Sequence, residues 1–466
     1  MLSLKELLAR IRGQVTLTSF SSRISRRHGD SRDNATASDA HVDDPQTPRD
    51  PRYRLPGLDG LRAIGAIAVL AYHLIPHYVP GGFTGVDVFF VLSGFLITAL
   101  LIHHQDKTGH LGVRGFWLKR IRRLFPAVFA TTVIMIPIAA LVSTDLLVGV
   151  RRQFIGSLTF TYIWVQIAQG TSYFETQVPE LLRNMWSLAV EQQFYVFWPL
   201  LLAPILMLPY RWRACGPALL ASASILDMVI LSRAGADVSR IYEGTDTHVF
   251  GLMLGAMIAL IAPHPMRALT PRERVAHPHQ HIALRGWAAW AGLALIVVCF
   301  FIVDDAAGWT YPWGLLLCSL GCVLLIQGML DTVSGTPGPG RLLAQILEVK
   351  PLVWLGERSY SIYLWHWPLV VILRMAFPQL PVWWMALLVC VLALIIATLS
   401  YHFIETPMRY HGIIATLKVW FGLDGTPAEA TTQKQEATEH QGEDLDEGNA
   451  SESANAGAST SERPLS

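Results

Sequence analysis

The chain has 466 residues, of which 52% are hydrophobic and only 15% are charged. Soluble domains carry about 25% charged residues, so this composition excludes an ordinary soluble protein and indicates a polytopic membrane protein. The formal net charge of +1 provides no dominant basic surface, which argues against a nucleic-acid partner. The five cysteines include no CxxC pair, and we therefore expect neither a disulfide framework nor a zinc site.

The distribution of polar and apolar residues divides the chain into three regions. Residues 1–54 are polar and residues 411–466 are acidic, and we expect both to be disordered cytoplasmic tails. Residues 55–410 hold the long apolar runs and predict a single membrane domain. The first twenty residues contain no sustained apolar run of the kind found in a cleaved signal peptide, so the first membrane helix is expected to start insertion.

Apolar runs in the membrane domain predict an all-α bundle with about ten spanning helices. The runs are 58–78, 85–102, 124–143, 186–208, 214–232, 246–262, 286–303, 310–330, 352–375 and 383–403. A further run at 153–168 is short and dotted with polar residues, and we interpret it as a re-entrant or surface segment. If this segment does not cross the membrane, the basic connections 103–123 and 263–285 both lie in the cytoplasm, together with both termini. If it does cross, one of the two connections lies on the outer side, against the charge bias.

The first run, LPGLDGLRAIGAIAVLAYHLIPHYV, carries Arg62 near its start and His73 eleven residues later. Eleven residues make about three helical turns, so both side chains leave one face of the helix, roughly 16 Å apart along its axis. Ionisable groups in a membrane helix are costly and indicate a functional site. In the predicted topology Arg62 lies at the cytoplasmic mouth of the helix and His73 lies toward its outer end.

Asp87 begins the second run, in FTGVDVFFVLSGF, at about the depth of His73. Two interpretations stay open for this carboxylate. It could orient the His73 imidazole and stabilise its protonated form, or it could cap the helix at the outer interface.

The third run begins with FWLKRIRRLFPA, a basic cluster at the predicted cytoplasmic face. Such a cluster is explained either by an anchor on the cytoplasmic side or by a clamp for phosphate groups, because guanidinium geometry suits phosphate oxygens. In the second interpretation a polyanionic cofactor binds there, beside Arg62, and sends a long arm inward to His73.

Two later motifs place polar groups in apolar surroundings. In RNMWSLAVEQQFYVFWPL, Glu191 and Tyr195 lie one turn apart on one helical face, at the predicted outer side. An interfacial aromatic belt explains the Trp and Tyr of this motif better than it explains Glu191. In LGERSYSIYLWHWPL, a hydrogen bond between helices is favoured over catalysis for His366. The HPHQH run at 277–281 lacks carboxylate or Cys partners at ligand spacing, and no metal is expected there.

These segments, in this order, resemble the integral-membrane acyltransferase 3 family, whose members O-acylate cell-surface glycans. The resemblance covers roughly residues 55–410 and includes LDGLRAIGAIAVLAYH, GGFTGVDVFFVLSGFLI, FWLKRIRRLFPA, MWSLAVEQQFYVFWPL and the C-terminal pair LGERSYSIYLWHWPL and LSYHFIETP. The family's Arg-ten-residues-His signature maps onto Arg62 and His73. Asn184 and His248 depart from the family, which commonly has His and Arg there. Many relatives add an esterase-like domain after the last helix, and this chain resembles the stand-alone membrane form.

The resemblance implies an O-acyltransferase in the plasma membrane that moves an acyl group, with acetyl expected, from acyl-CoA to a hydroxyl of a cell-envelope carbohydrate or lipid-linked sugar. Four cations would hold the CoA phosphates: Arg62, Lys119, Arg120 and Arg123. His73 would act as general base, with Asp87 orienting it and Glu191 near the acceptor. The alternative is a transporter or flippase of a polar solute or lipid-linked sugar, in which the same buried groups gate the solute.

Overall fold

The computed structural model describes residues 55–169, 180–262, 282–330 and 338–420. As predicted, this part of the chain is all helical, and it contains no strand. Helices α1 to α17 are, in order, Leu58–Leu74, Gly85–Thr108, Val113–Val142, Val150–Thr159, Tyr162–Gln169, Met185–Met207, Cys215–Arg233, Val238–Glu243, Thr245–His248, Phe250–Ile261, Ile282–Ile302, Trp313–Leu330, Pro339–Leu347, Lys350–Ala376, Val382–Ser400, Thr406–His411 and Ile413–Trp420. A π-helical turn, Tyr401–Glu405, joins α15 to α16.

The boundary predicted at residue 410 falls inside this helical region. Helix α17 continues to Trp420 because its sequence, IIATLKVW, is apolar enough to add two further turns. The predicted tail at 1–54, the residues after 420 and the histidine run at 277–281 lie outside the described residues.

Six helical segments of the described chain are long and apolar enough to cross a membrane, namely Gly82–Thr108, Val113–Val142, Tyr210–Arg233, Ala283–Ile302, Trp313–Leu330 and Val382–His411. The other four predicted spans form helices α1, α6, α10 and α14 but are not among these six. Helices α1 and α10 have only 17 and 12 residues. Helices α6 and α14 carry polar side chains inside the bundle. The predicted count of about ten spans is therefore not confirmed.

The segment predicted not to cross, 153–168, folds as two short helices, α4 and α5. They are separated by Phe160, whose φ of 56° ends the first helix. Helices of ten and eight residues span about 15 and 12 Å, far less than the roughly 30 Å of a bilayer core. Helices α2 and α6 run parallel, as shown by the ring contact of Phe90 with Trp186 and the hydrogen bond from Trp198 to Thr98. Parallel directions are expected when only α3 crosses between them.

Helix α1 is held between α2, which runs antiparallel to it, and α14, which runs parallel. A Cβ added at Gly85 of α2 would lie only 2.5 Å from the backbone oxygen of Gly65, so the two helices approach through their backbones. On the other side, a Cβ at Gly356 of α14 would collide with the backbone oxygen of Asp59. This close packing fixes the side chains of α1 against both neighbours.

Candidate functional site

A cavity opens beside the first half of α1, with about 620 Å³ of empty space that includes the solvent at its mouth. Three guanidinium groups line it, those of Arg62 on α1 and of Arg120 and Arg123 on α3. Like charges gathered in one cavity repel one another, and a bound anion relieves this repulsion while matching the geometry of the guanidinium groups. The cavity is therefore suited to a ligand that carries phosphate or carboxylate groups.

Lys119, which the sequence grouped with these arginines, does not line the cavity. Its side chain is exposed, whereas Arg120 and Arg123 lie three residues apart and share the inner face of α3. Lys119 is therefore not among the residues that line this cavity, and the expected contact between Lys119 and the cofactor phosphates is not made within it.

Aromatic rings fix the position of Arg120. Its guanidinium carbon lies 5.4 Å from the ring centroid of Phe116 and 5.5 Å from that of Tyr195, within the range of cation–π contacts. The indole nitrogen of Trp117 donates a hydrogen bond of 3.0 Å to the Tyr195 carbonyl, which ties α3 to α6 at the same level. Arg120 is thus held in place before any ligand binds.

Glu191 lies among these arginines rather than beside His73. One oxygen of its carboxylate accepts hydrogen bonds from the hydroxyls of Ser93 and Tyr195. The predicted common face of Glu191 and Tyr195 is therefore confirmed, and Glu191 lies in the arginine cavity. The reason is that α6 runs parallel to α2 and carries Glu191 inward to the level of Ser93, which also lines the cavity.

His73, at the other end of α1, pairs with a second histidine. Its Nδ1 lies 3.1 Å from Nε2 of His366, and Nδ1 of His366 lies 3.0 Å from the carbonyl oxygen of Ile362. The ring of Trp367 packs against His73, with centroids 4.7 Å apart. The hydrogen bond between helices that the sequence predicted for His366 is thus made, and its partner is the central candidate residue.

His73 does not line the arginine cavity, which ends at a wall of two aromatic rings. These are Phe89 and Tyr363, with centroids 6.4 Å apart. The Tyr363 ring in turn lies 5.5 Å from the ring of His366. Its hydroxyl donates to the carbonyl oxygen of Asn184 at 2.9 Å, which fixes the ring in this position. A layer one side chain thick therefore separates the cavity from the histidine pair.

Asp87 neither orients His73 nor caps its helix. It is fully buried, and its Oδ1 lies 3.1 Å from Nε2 of His248 and 3.3 Å from the hydroxyl of Ser319. Its Oδ2 has no hydrogen-bond partner among the described residues. The expected contact with His73 is not made because the Asp87 side chain projects from the face of α2 that packs on α9 and α12. That face is directed away from α1.

The Asp87–His248 pair holds one shared proton. Nδ1 of His248 lies 2.6 Å from the carbonyl oxygen of Tyr242, which can only accept, so this nitrogen carries a hydrogen. A second hydrogen must then lie between Nε2 of His248 and the Asp87 carboxylate. Because the pair is neutral overall, its complete burial has a smaller desolvation cost than burial of a single charge. The pair links α2 to α9.

We expect Asp87→Ala to destabilise the protein by about 3–5 kcal/mol, because it leaves His248 buried without its partner. Ser319→Ala, which removes only a long hydrogen bond to the same carboxylate, should cost about 0.5–1.5 kcal/mol. Thermal unfolding in detergent measures both. The double variant Asp87→Ala/His248→Ala should be less destabilised than the sum of the single variants, whereas strict additivity would contradict the pairing.

A cluster of ionisable residues next to His73, with Glu180 half-buried and Arg183 buried, was not predicted from the sequence. Glu180 accepts a hydrogen bond of 2.5 Å from the Tyr162 hydroxyl, and its backbone carbonyl accepts one of 2.8 Å from the indole of Trp367. The guanidinium carbon of Arg183 lies 5.6 Å from the same indole, and this residue is only 6% exposed. The signal that could have found them is an acidic and a basic residue immediately before the WSLAVE motif.

Burial raises the pKa of Glu180 above its usual value of 4.5. A carboxyl whose pKa is higher in the folded state binds protons more tightly there. Its ionisation therefore lowers the free energy of unfolding as the pH rises above the pKa that the group has in the unfolded chain. The melting temperature of Glu180→Gln should therefore rise relative to that of the wild-type protein, measured at the same pH, as the pH increases from about 4.5 to 8. The exposed Asp145→Asn variant provides the control and should follow the wild-type profile. A constant difference between Glu180→Gln and wild type across this range would contradict the expectation.

Comparison with known proteins relates the chain to acyl-transferring enzymes. The profile of a family described as an acyltransferase domain matches residues 55–402. The Bacillus subtilis protein YrhL is 38% identical, over 77% of this chain and 55% of YrhL. The peptidoglycan O-acetyltransferase OatA of Listeria monocytogenes is 36% identical over 80% of this chain and 58% of its own length, and the O-acetyltransferase OatA of Staphylococcus aureus is 34% identical over 78% and 58%.

The chain spans little more than half the length of these relatives. No solved structure matches it. The family profile nevertheless covers about three quarters of the chain, including every motif that lines the arginine cavity or carries the histidine pair. The chain therefore belongs to the acyltransferase 3 family.

Proposed function

We propose that this protein transfers an acetyl group from acetyl-CoA, in the plasma membrane, to a hydroxyl group of a cell-wall glycan. The acceptor class is supported by the names of two relatives, YrhL and the OatA of Listeria monocytogenes, which both name peptidoglycan O-acetylation. One observation carries the rest of the proposal. A single tightly packed helix, α1, bears Arg62 in a cationic cavity near one end and His73 in a histidine pair at the other.

The arginine cavity is the proposed site of the donor. Arg62, Arg120 and Arg123 bind the phosphate groups of CoA, which enters from the cytoplasm, where both chain termini also lie. The hydroxyls of Ser187, Ser359 and Tyr360, together with Glu191 and its two hydroxyl partners, line the remaining cavity and suit the amide groups of the pantetheine arm. The thioester end reaches the Phe89–Tyr363 wall, and rotation of the Phe89 ring, which has no hydroxyl to hold it, opens the path to His73.

His73 is the proposed general base. It takes the proton from the acceptor hydroxyl while the hydroxyl oxygen attacks the thioester carbonyl carbon. The carbon–sulfur bond then breaks, and the departing CoA thiolate takes the proton from His73. The products are an O-acetyl ester and free CoA, with all atoms and protons balanced and no metal required in the scheme.

The direct test uses the purified protein in liposomes, with acetyl-CoA labelled in the acetyl group and soluble peptidoglycan fragments as acceptor. We expect label to appear as a base-labile ester on the glycan, with one free CoA thiol released for each ester. The rival transporter or flippase would instead move a polar solute or lipid-linked sugar across the liposome without releasing thiol. Solute flux without ester formation would therefore overturn the proposal.

A further inference from the structure

We infer that Asn184 is a positioning residue that holds the Tyr363 ring still in the aromatic wall, so that only the Phe89 ring moves when the thioester arm passes. This role rests on the proposed function, in which the arm crosses the wall to reach His73. The wall then has one fixed side and one moving side, and the width of the opening is limited to that of a single ring.

Helix α14 needs a hydrogen-bond donor at the level of the wall because of Pro368. Proline has no backbone N–H, so the carbonyl of Leu364, four residues earlier, lacks its usual partner within the helix. The side-chain amide of Asn184, at the start of α6, supplies the donor. Its Nδ2 lies 3.3 Å from the Leu364 oxygen and 2.7 Å from the Tyr363 oxygen. A side chain of one helix thus closes the gap in the hydrogen bonds of another.

These contacts fix the orientation of the Asn184 amide. Both partners of Nδ2 are carbonyl oxygens, which can only accept, so the nitrogen must face α14. Oδ1 of Asn184 is buried and has no hydrogen-bond partner in the part of the chain that the structure describes. The hydrogen bonds of this side chain are therefore directed at the turn of α14 that carries Tyr363.

Tyr363 is also held at its hydroxyl. The hydroxyl donates to the Asn184 carbonyl at 2.9 Å, and because a phenol has one hydrogen, the Ser187 hydroxyl, 2.5 Å away, donates to the phenol oxygen. The backbone and the hydroxyl of Tyr363 are thus both bound to Asn184. A phenylalanine ring has no polar group that could be held in this way, so Phe89 is the ring that yields to the arm.

A loosened Tyr363 ring would widen the opening and admit water beside the arm. His73 would then take a proton from water while the water oxygen attacks the thioester carbonyl carbon. The carbon–sulfur bond breaks, the CoA thiolate takes the proton from His73, and acetic acid and free CoA are released. We expect Asn184→Ala to raise thiol release from acetyl-CoA without acceptor about tenfold, the equilibrium equivalent of one hydrogen bond. Addition of His73→Ala should abolish this increase, because the water then has no base.

Two further variants separate this role from a general effect on stability. Tyr363→Phe keeps the ring but removes the hydroxyl that reaches α6, and it should raise thiol release in the same direction. Thr98→Ala removes a buried hydrogen bond of 2.8 Å between α2 and α6, at a position about 13 Å along α2 from Phe89. Thiol release by Thr98→Ala should equal that of the wild-type protein. All rates are measured in liposomes, well below the melting temperature of each variant.

The outcomes distinguish the role of Asn184 from the proposed function. If folded Asn184→Ala and Tyr363→Phe release thiol no faster than the wild-type protein, the positioning role is overturned. The same conclusion follows if Thr98→Ala shows an equal increase, or if the increase persists without His73. If Asn184→Ala does not fold, Tyr363→Phe alone decides the matter. If the wild-type protein forms no ester on the acceptor, the proposed function fails instead.

Discussion

His73→Ala is expected to lower the rate of acetyl transfer by about 10² to 10⁴-fold, the range typical for loss of a general base. The acceptor hydroxyl would then have no group to take its proton as it attacks the thioester. Insertion and folding should be preserved, since His73 is only partly buried and alanine suits a helix. The rate is measured as labelled ester formed in liposomes, and the amount of folded protein by its elution from a sizing column in detergent.

His77→Ala is the matched control for this variant. His77 lies just beyond the end of α1, and its side chain is exposed, so its loss should leave the rate unchanged. In cells, a surface glycan that stays fully O-acetylated when the only copy of the protein carries His73→Ala would remove His73 from the mechanism.

Arg123→Gln is expected to raise KM for acetyl-CoA by about 10- to 100-fold, with a much smaller effect on kcat. A hydrogen bond between a charged group and phosphate contributes about 1.5–3 kcal/mol, and this interaction is made with the donor before and during the reaction. Steady-state kinetics at fixed ionic strength measure the change. Acetyl-pantetheine, which lacks the phosphates, should be used equally well by the variant and the wild-type protein.

Arg122→Gln provides the comparison within the same helical turn. Arg122 has the same charge, but its side chain is exposed and does not line the cavity. Its loss should leave KM for acetyl-CoA unchanged. Equal effects of the two substitutions would mean that the positive charge of this membrane face, rather than the cavity, attracts the donor.

Features set by one stretch of chain could be predicted from the sequence. The spacing of Arg62 and His73 placed both on one helix, and the four-residue spacing of Glu191 and Tyr195 placed them on one face. The polar and short run at 153–168 indicated a segment that does not cross, and it forms two short helices. In each case helical periodicity or length alone decides the outcome, and no distant partner is needed.

Partners from distant parts of the chain could not be predicted in this way. His73 pairs with a residue 293 positions away, and Asp87 with one 161 positions away. Which face of α2 turns toward α1 depends on how glycines allow the helices to approach, and a run of apolar residues does not determine this. The contact of Asp87 with His73 was predicted from their similar depth alone, whereas packing directs the Asp87 carboxylate to His248.

The aromatic wall formed by Phe89 and Tyr363 also bears on the electrical properties of the membrane. A continuous aqueous path from the arginine cavity to the opposite face would conduct ions and dissipate the proton-motive force. Two large rings, one fixed by a hydrogen bond to a backbone carbonyl, interrupt that path with low-dielectric material. A thioester arm that displaces the Phe89 ring would fill the opening it creates, so that group transfer could proceed in an energised bilayer without a leak.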